Sequence, residues 1–501
     1  MGIGKRKFAA ALSLLVYGLL PRSVRADDKW LEVRSAHFTV YTPASEKDGR
    51  KIADQFEQIR ALFHSAFPQL RTDPAQPIVI LAVKNEKGMK EFLPEQWAVK
   101  GHLHAAGLYQ PGFDKHYVIV QLDAEGNNAY HALYHEYTHA LMHLNFANLP
   151  LWLDEGLAEY FGNASIGDKE SRIGLIDPGV LYFLQQNRLL PVETLLAVDH
   201  TSPYYNESNR ASIFYAESWA LVHYLLLSPD ARQKQLLGRF LASWSTTHDP
   251  LEAARQTFGD LQKFGQVLET YSRQGNFYNG IVKNSSEVSD KQFTTRTISP
   301  AEVETLRGDF FVHHNRLDAG KALLEDAAKI DATLPFPHAA LAYYFFRSQA
   351  MPEVQKEASE AIRLGDSGFF PPYLQAIGLM QGGIVPLDGA GQSDSLTRAT
   401  ALLEKSQKLN PNFAPTCDAL ADVDSIYPDR QKAAVSASIQ AVKLDPTDLQ
   451  YAVHLVRLLL NYNRDAEAKT VSARITAAAN TPQERAMAES VARMVAEHHP
   501  Q

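Results

Sequence analysis

The alternation of apolar and polar positions divides the chain into three stretches of different character. His37-Phe38-Thr39-Val40-Tyr41 alternates with a period of two and predicts a half-buried strand. Ile52, Phe56, Ile59, Phe63 and Ala66 then form an apolar stripe at helical spacing, with Pro68 as its stop. Pro77 to Val83 is a continuous apolar run, the pattern of a strand buried on both faces. Ala105–Tyr109 and His116–Leu122 flank Pro111-Gly112-Phe113-Asp114, which predicts a hairpin. Asn127-Asn128 can cap a helix from about Ala129 to Asn145, and Pro150 precedes a second helix starting near Asp154. Residues 166–275 read as mostly helical. The polar, Ser/Asn/Thr-rich stretch 276–299 reads as a linker.

Beyond residue 300 the pattern changes to alanine-rich helical pairs. Lys329-Ile330-Asp331, Arg363-Leu364-Gly365, Lys408-Leu409-Asn410 and Lys443-Leu444-Asp445 align as helix ends. Their apolar members are spaced 34, 45 and 35 residues apart (364 − 330, 409 − 364, 444 − 409). Gly382 to Gly389 accounts for the long interval as a loop insertion. This periodicity resembles tetratricopeptide repeats, with Ala399, Ala434 and Ala441 at positions where helices meet. The aromatic residue near the start of each such repeat is mostly missing.

Length and composition narrow the setting. A chain of 501 residues implies two to three domains, and 45% apolar with 21% charged residues is a globular composition. Lys5-Arg6-Lys7, the apolar run Phe8–Leu20 and Val24-Arg25-Ala26 together read as a secretory signal, residues 1–26. Its removal takes five basic residues and no acid, so the charge moves from 49 − 57 = −8 to 44 − 57 = −13. The single cysteine, Cys417, permits no internal disulfide. No basic cluster is interleaved with aromatic residues, so no nucleic acid partner is expected. No later apolar stretch approaches 18 residues, so no stable membrane insertion is expected after cleavage. The expectation is an exported protein, periplasmic or secreted.

The candidate chemistry lies in His135-Glu136-Tyr137-Thr138-His139. Two histidines four apart on a helix share a face and can reach one zinc ion, with the intervening glutamate as general base for a water. Trp152-Leu153-Asp154-Glu155-Gly156-Leu157-Ala158-Glu159-Tyr160 follows and offers carboxylates for a third ligand, Glu155 or Glu159. Trp152 and Leu153 read as core anchors for that second helix. His131 and His143 extend the histidine stripe, but one ion cannot easily reach three successive turns, so they read as a polar face beside the site.

HExxH followed by WLDEG resembles the gluzincins, the group that includes thermolysin and related aminopeptidases. The whole chain resembles uncharacterised exported bacterial peptidase MA-like proteins. The resemblance implies an α+β zincin-like catalytic domain over 27–165, a helical subdomain over 166–275, the linker 276–299 and tetratricopeptide-like repeats over 300–501. It implies one zinc per chain held by His135, His139 and Glu155, with Glu136 as general base and Glu159 orienting a ligand histidine. Tyr215 becomes the candidate donor to the transition-state oxyanion, because related secreted peptidases carry a tyrosine in a similar stretch; the competing reading is a packed core aromatic. The implied activity is zinc-dependent hydrolysis of peptide or protein substrates. Fifteen residues separate His139 from Glu155, fewer than in the aminopeptidases, and their GxMEN motif is absent, so aminopeptidase specificity is not implied. The alternative is a repeat-based module binding peptides or proteins, with a vestigial or structural metal domain.

Overall fold

A computed structural model describes residues 29–97, 106–123, 130–146, 149–167, 169–205, 212–283, 288–381, 390–479 and 481–499. The signal segment 1–26, the Asn127-Asn128 cap, Ala105 and the Gly382–Gly389 insertion lie outside these residues. Among those described, no helix is long and apolar enough to cross a membrane.

The amino-terminal half is mixed α/β, built on one six-stranded sheet. Its strands are β1 (Leu31–Arg34), β2 (Phe38–Thr42), β3 (Ile78–Val83), β4 (Gly107–Gln110), β5 (His116–Gln121) and β9 (Thr294–Thr297), in the order β4-β5-β3-β2-β1-β9. The central pairs β2–β3 and β3–β5 are parallel, whereas β4 and β1 run antiparallel to their neighbours. Alternation along β3 and β5 sends successive side chains to opposite faces. Ile78, Ile80, Ala82, Val118 and Val120 join one core with Phe56 and Phe63 of the helix Glu46–Ala66 and with Tyr137 of the helix His131–Asn145. Leu81, Val83, Tyr117 and Ile119 join a second core on the reverse face, with Met89 and Phe92. Both faces of the sheet are covered, which is why β3 is apolar throughout.

The stretch 276–299 is not a linker. β8 (Gly280–Lys283) pairs with β7 (Glu170–Ile173), which also pairs with β6 (Ser165–Ile166), in a small antiparallel sheet. β9 pairs with β1, Leu31 opposite Thr297, and closes the far edge of the main sheet. Arg296 explains why a polar segment forms a strand there: its guanidinium takes Glu32 at 2.7 Å and Glu302 at 2.7 Å. Backbone pairing at an edge requires no apolar side chains, so hydropathy does not reveal it.

The carboxy-terminal half is an all-helical, tetratricopeptide-like array. Successive pairs are Pro300–His313 with Leu317–Ile330, Pro335–Arg347 with Met351–Arg363, Phe370–Gln381 with Ala390–Leu409, Ala414–Ser425 with Gln431–Leu444, and Leu449–Asn461 with Asp465–Ala478, then a last helix Pro482–Glu497. The repeated Ile330, Leu364, Leu409 and Leu444 fall at the ends of the second helices, and Ala399, Ala434 and Ala441 are fully buried. The first helix begins with a capping box, Ser299 and Glu302, and Pro300 in its first turn. Its Val303, Leu306, Phe310 and Phe311 belong to the core on the reverse face of the sheet. The array is therefore welded to the sheet by its own first helix.

Candidate metal centre

Two helices carry the site. His131–Asn145 crosses the sheet with Tyr134, Tyr137 and Leu141 in the core, which turns His135 and His139 toward the next helix. That helix, Leu151–Gly162, begins directly after Pro150, whose φ of −57° suits a helix start, three residues before the expected position near Asp154. Trp152 and Leu153 fall in its first turn and are buried anchors, as expected of them. Gly156 permits its close packing on the helix Ile213–Leu227: a β-carbon there would lie 2.5 Å from the Ser218 carbonyl oxygen.

Three atoms converge between the two helices. Nε2 of His135 and Nε2 of His139 are 3.1 Å apart, and Oε2 of Glu155 is 3.4 Å and 3.5 Å from them. Four donors at tetrahedral zinc, about 2.0–2.1 Å from the ion, are about 3.3–3.4 Å from one another. The contacts to Glu155 are longer than charge-assisted hydrogen bonds, which run at about 2.7–2.9 Å. All three side chains are buried or nearly so, with His135 wholly inaccessible. The donor set and its spacing thus fit a divalent cation with a vertex left over. Burial pushes the Glu155 carboxyl upward, but His135 and His139 beside it hold it down at about 2.

Each of the other ring nitrogens lies beside a carboxylate, without meeting full hydrogen-bond geometry. Nδ1 of His135 lies 3.3 Å from Oε1 of Glu159, and Nδ1 of His139 lies 3.3 Å from Oδ2 of Asp154. Each carboxylate favours the tautomer with the proton on Nδ1 and the lone pair on Nε2. The flanking histidines complete the row: Nε2 of His131 is 3.1 Å from Glu159, and Nε2 of His143 is 3.0 Å from Asp154. His131 and His143 are therefore specific partners of these two acids, more than a polar face. Despite burial, these histidines keep the Glu159 and Asp154 carboxyls well below the usual range. The structure brings Glu155 to both Nε2 atoms and Glu159 to the Nδ1 side of His135, the opposite of the rival ligand assignment. The sequence pattern assigns no role to Asp154, although the position of an acid directly before a ligand glutamate on one helix is a signal that could have found it.

Glu136 faces the edge of the sheet. Its Oε2 accepts a 2.9 Å hydrogen bond from the Tyr109 N–H of β4. Gly107 makes this approach possible, since a β-carbon there would meet Cβ of Ala132 at 3.0 Å and Cγ of Glu136 at 3.5 Å. Tyr215 is buried on the helix Ile213–Leu227, its ring 5.4 Å from Phe214 and stacked at 6.1 Å on Tyr205. Gly156 meets Ser218 and Tyr160 lies 6.0 Å from His223, so this helix runs alongside the ligand helix in the same sense. Tyr215, one turn before Ser218, lies toward the start of the ligand helix. His223 is structural, bonded to the Tyr271 hydroxyl and the Tyr278 carbonyl, and burial lowers its pKa to about 4.

A family described as "Protein of unknown function (DUF1570)" matches residues 130–252, which run from the helix His131–Asn145 past the helix Ile213–Leu227 that carries Tyr215. No curated protein matches. Among solved structures, a thermophilic TPR protein of Thermus thermophilus is 18% identical, with a TM-score of 0.32, covering 38% of this chain and 99% of its own. YrrB, a TPR protein with an unusual peptide-binding site, is 12% identical at a TM-score of 0.30, covering 38% and 92%. Yeast Tom70 is 15% identical at 0.30, covering 64% and 68%.

Proposed function

We propose that this chain is a zinc-dependent metallopeptidase of the gluzincin type with a zincin-like catalytic domain, acting outside the cytoplasm. The observation that carries the reading is the triangle formed by Nε2 of His135, Nε2 of His139 and Oε2 of Glu155, with edges of 3.1, 3.4 and 3.5 Å. When bound, zinc supplies a Lewis acid that polarises a carbonyl and lowers the pKa of a water. Glu136 takes the proton of the attacking water and returns it to the departing amine nitrogen. The Tyr109 N–H holds one Glu136 oxygen, which fixes where that carboxylate stands relative to the sheet edge. Asp154 and Glu159 keep the two ligand imidazoles in one tautomer and one orientation. Tyr215 is the proposed hydroxyl donor to the oxyanion. Export rests on residues 1–26 alone.

The test is Glu136→Gln in the full-length chain. Elemental analysis is expected to find one zinc per chain in wild type and variant alike. Hydrolysis of an unfolded protein substrate should fall by at least about 100-fold in the variant. Wild type without stoichiometric zinc, or hydrolysis that survives the substitution, sinks the reading.

A second reading, protein or peptide binding by the repeats, is favoured by the helical array itself, since stacked helical pairs offer extended surfaces for such partners. The two readings are compatible. A partner held equally by wild type and by a Glu136→Gln, His139→Ala double variant would favour binding as a separate activity.

A further inference from the structure

The turn between β4 and β5 packs against the helical array, with Phe113 partly buried there. The Phe113 ring has its centroid 5.6 Å from Phe346, 6.0 Å from Phe370, 6.0 Å from Tyr373 and 5.6 Å from Phe413. The neighbouring Asp114 meets Nε2 of His313 at 2.8 Å in a buried pair, and Lys115 meets Asp309 at 2.7 Å in a part-buried one. Gly112 fits because it lacks a side chain: a β-carbon would lie 2.6 Å from the His313 ring. His313, Phe346, Phe370 and Tyr373 belong to the first helices of three successive pairs, and Phe413 directly precedes that of the fourth. One tight turn is thus gripped along four repeats.

The same hairpin reaches the site at its other end. β4 is only four residues long and, among the described residues, lies at the edge of the sheet with β5 as its single partner strand. Its register contacts to β5 run from Gly107 to Gln110, and the Tyr109 N–H turns outward to Glu136. A short edge strand is weakly held by its own backbone bonds and opens readily. Its placement therefore depends on what anchors the turn.

We propose that Phe113 is a positioning residue. By filling the aromatic box of the repeats it holds β4, and through the Tyr109 N–H it sets Glu136, so that the array serves the site within its own chain. This rests on the peptidase reading above. Displacing a reacting group by about 1 Å costs on the order of 100-fold in rate, so a loosened β4 should be felt in turnover.

The experiment uses the full-length, zinc-loaded chain with Phe113→Ala and the conservative Phe113→Leu. Amide hydrogen exchange is expected to accelerate by about tenfold or more over β4, Tyr109 included, in the alanine variant. Zinc stoichiometry and protection of the helix His131–Asn145 should stay at wild-type level. On an unfolded protein substrate kcat should fall by about tenfold or more, KM should stay within about twofold, and leucine should recover most of the loss. Wild-type exchange over β4 in a folded Phe113→Ala protein overturns the proposal, as does a kcat equal to wild type. Should the alanine variant fail to fold, Phe346→Ala, which opens the box from the other side, carries the same readouts. A wild type without zinc-dependent hydrolysis defeats the peptidase reading, whereas the exchange measurement still decides whether Phe113 holds β4.

Discussion

Asp154 faces His139 across 3.3 Å, carboxylate Oδ2 to ring Nδ1, on the side of the imidazole turned away from Glu155. Glu159 stands to His135 in the same way, so two acids on one helix flank two histidines one turn apart on the other. On the proposed reading, the helix Leu151–Gly162 supplies both a donor and the outer supports of the other two.

That arrangement predicts that Asp154→Asn weakens zinc binding by about 10- to 100-fold while the protein stays folded. Competition with a chromogenic chelator measures it. His143 touches the same Asp154 oxygen, but its side chain is 54% exposed, so His143→Ala should shift affinity by less than about fivefold. Equal affinities for Asp154→Asn and wild type would remove Asp154 from the site.

Tyr215→Phe separates the two readings of that side chain. An oxyanion donor predicts a fall in kcat of about 100-fold or more with KM and melting temperature little changed. A packing role alone predicts wild-type kcat, because phenylalanine fills the same aromatic space against Tyr205 and Phe214.

A truncated chain ending at residue 299 should lose solubility. It keeps every site residue but uncovers Leu81, Val83, Tyr117 and Ile119, which pack against Val303, Leu306, Phe310 and Phe311. Each such large apolar side chain contributes about 1.5–3 kcal/mol when buried. Size-exclusion chromatography should show aggregation, and a monomeric 27–299 chain with the full-length melting temperature would contradict the shared core.

Glu217 gives the protein a pH-dependent stability apart from the metal site. Its side chain is 2% exposed, and burial raises its carboxyl to about 8, although the Leu190 N–H donates to it at 2.7 Å. The folded state therefore holds a proton that an unfolded glutamate, with a pKa of about 4.3, releases. Its contribution is fully present below about pH 4.3 and is lost as pH rises through the folded value of about 8. Glu217→Gln should melt closer to wild type at pH 5 and progressively above it toward pH 9. Parallel melting curves across that range would show that Glu217 is ionised in the fold.

Much was legible from the residues alone, because it depends on local order. A period-two pattern located β2, a continuous apolar run β3, the residues flanking a turn β5, and a 3.6-residue stripe the helix Glu46–Ala66, since each buries one face or two regardless of what covers it. The spacing of His135 and His139 put two imidazoles on one helical face, and the recurrence of Ile330, Leu364, Leu409 and Leu444 marked the helical pairs. Other relationships needed the fold, because they join residues far apart in the chain. β9 lies beside β1 through backbone bonds that leave no trace in hydropathy. The approach of Glu155 rather than Glu159 to both Nε2 atoms depends on how one helix is rotated against another. The grip on Phe113 depends on three successive repeats meeting a hairpin more than two hundred residues upstream of the nearest of its aromatic partners. Periodicity reports which face a segment buries, and only tertiary packing decides against what.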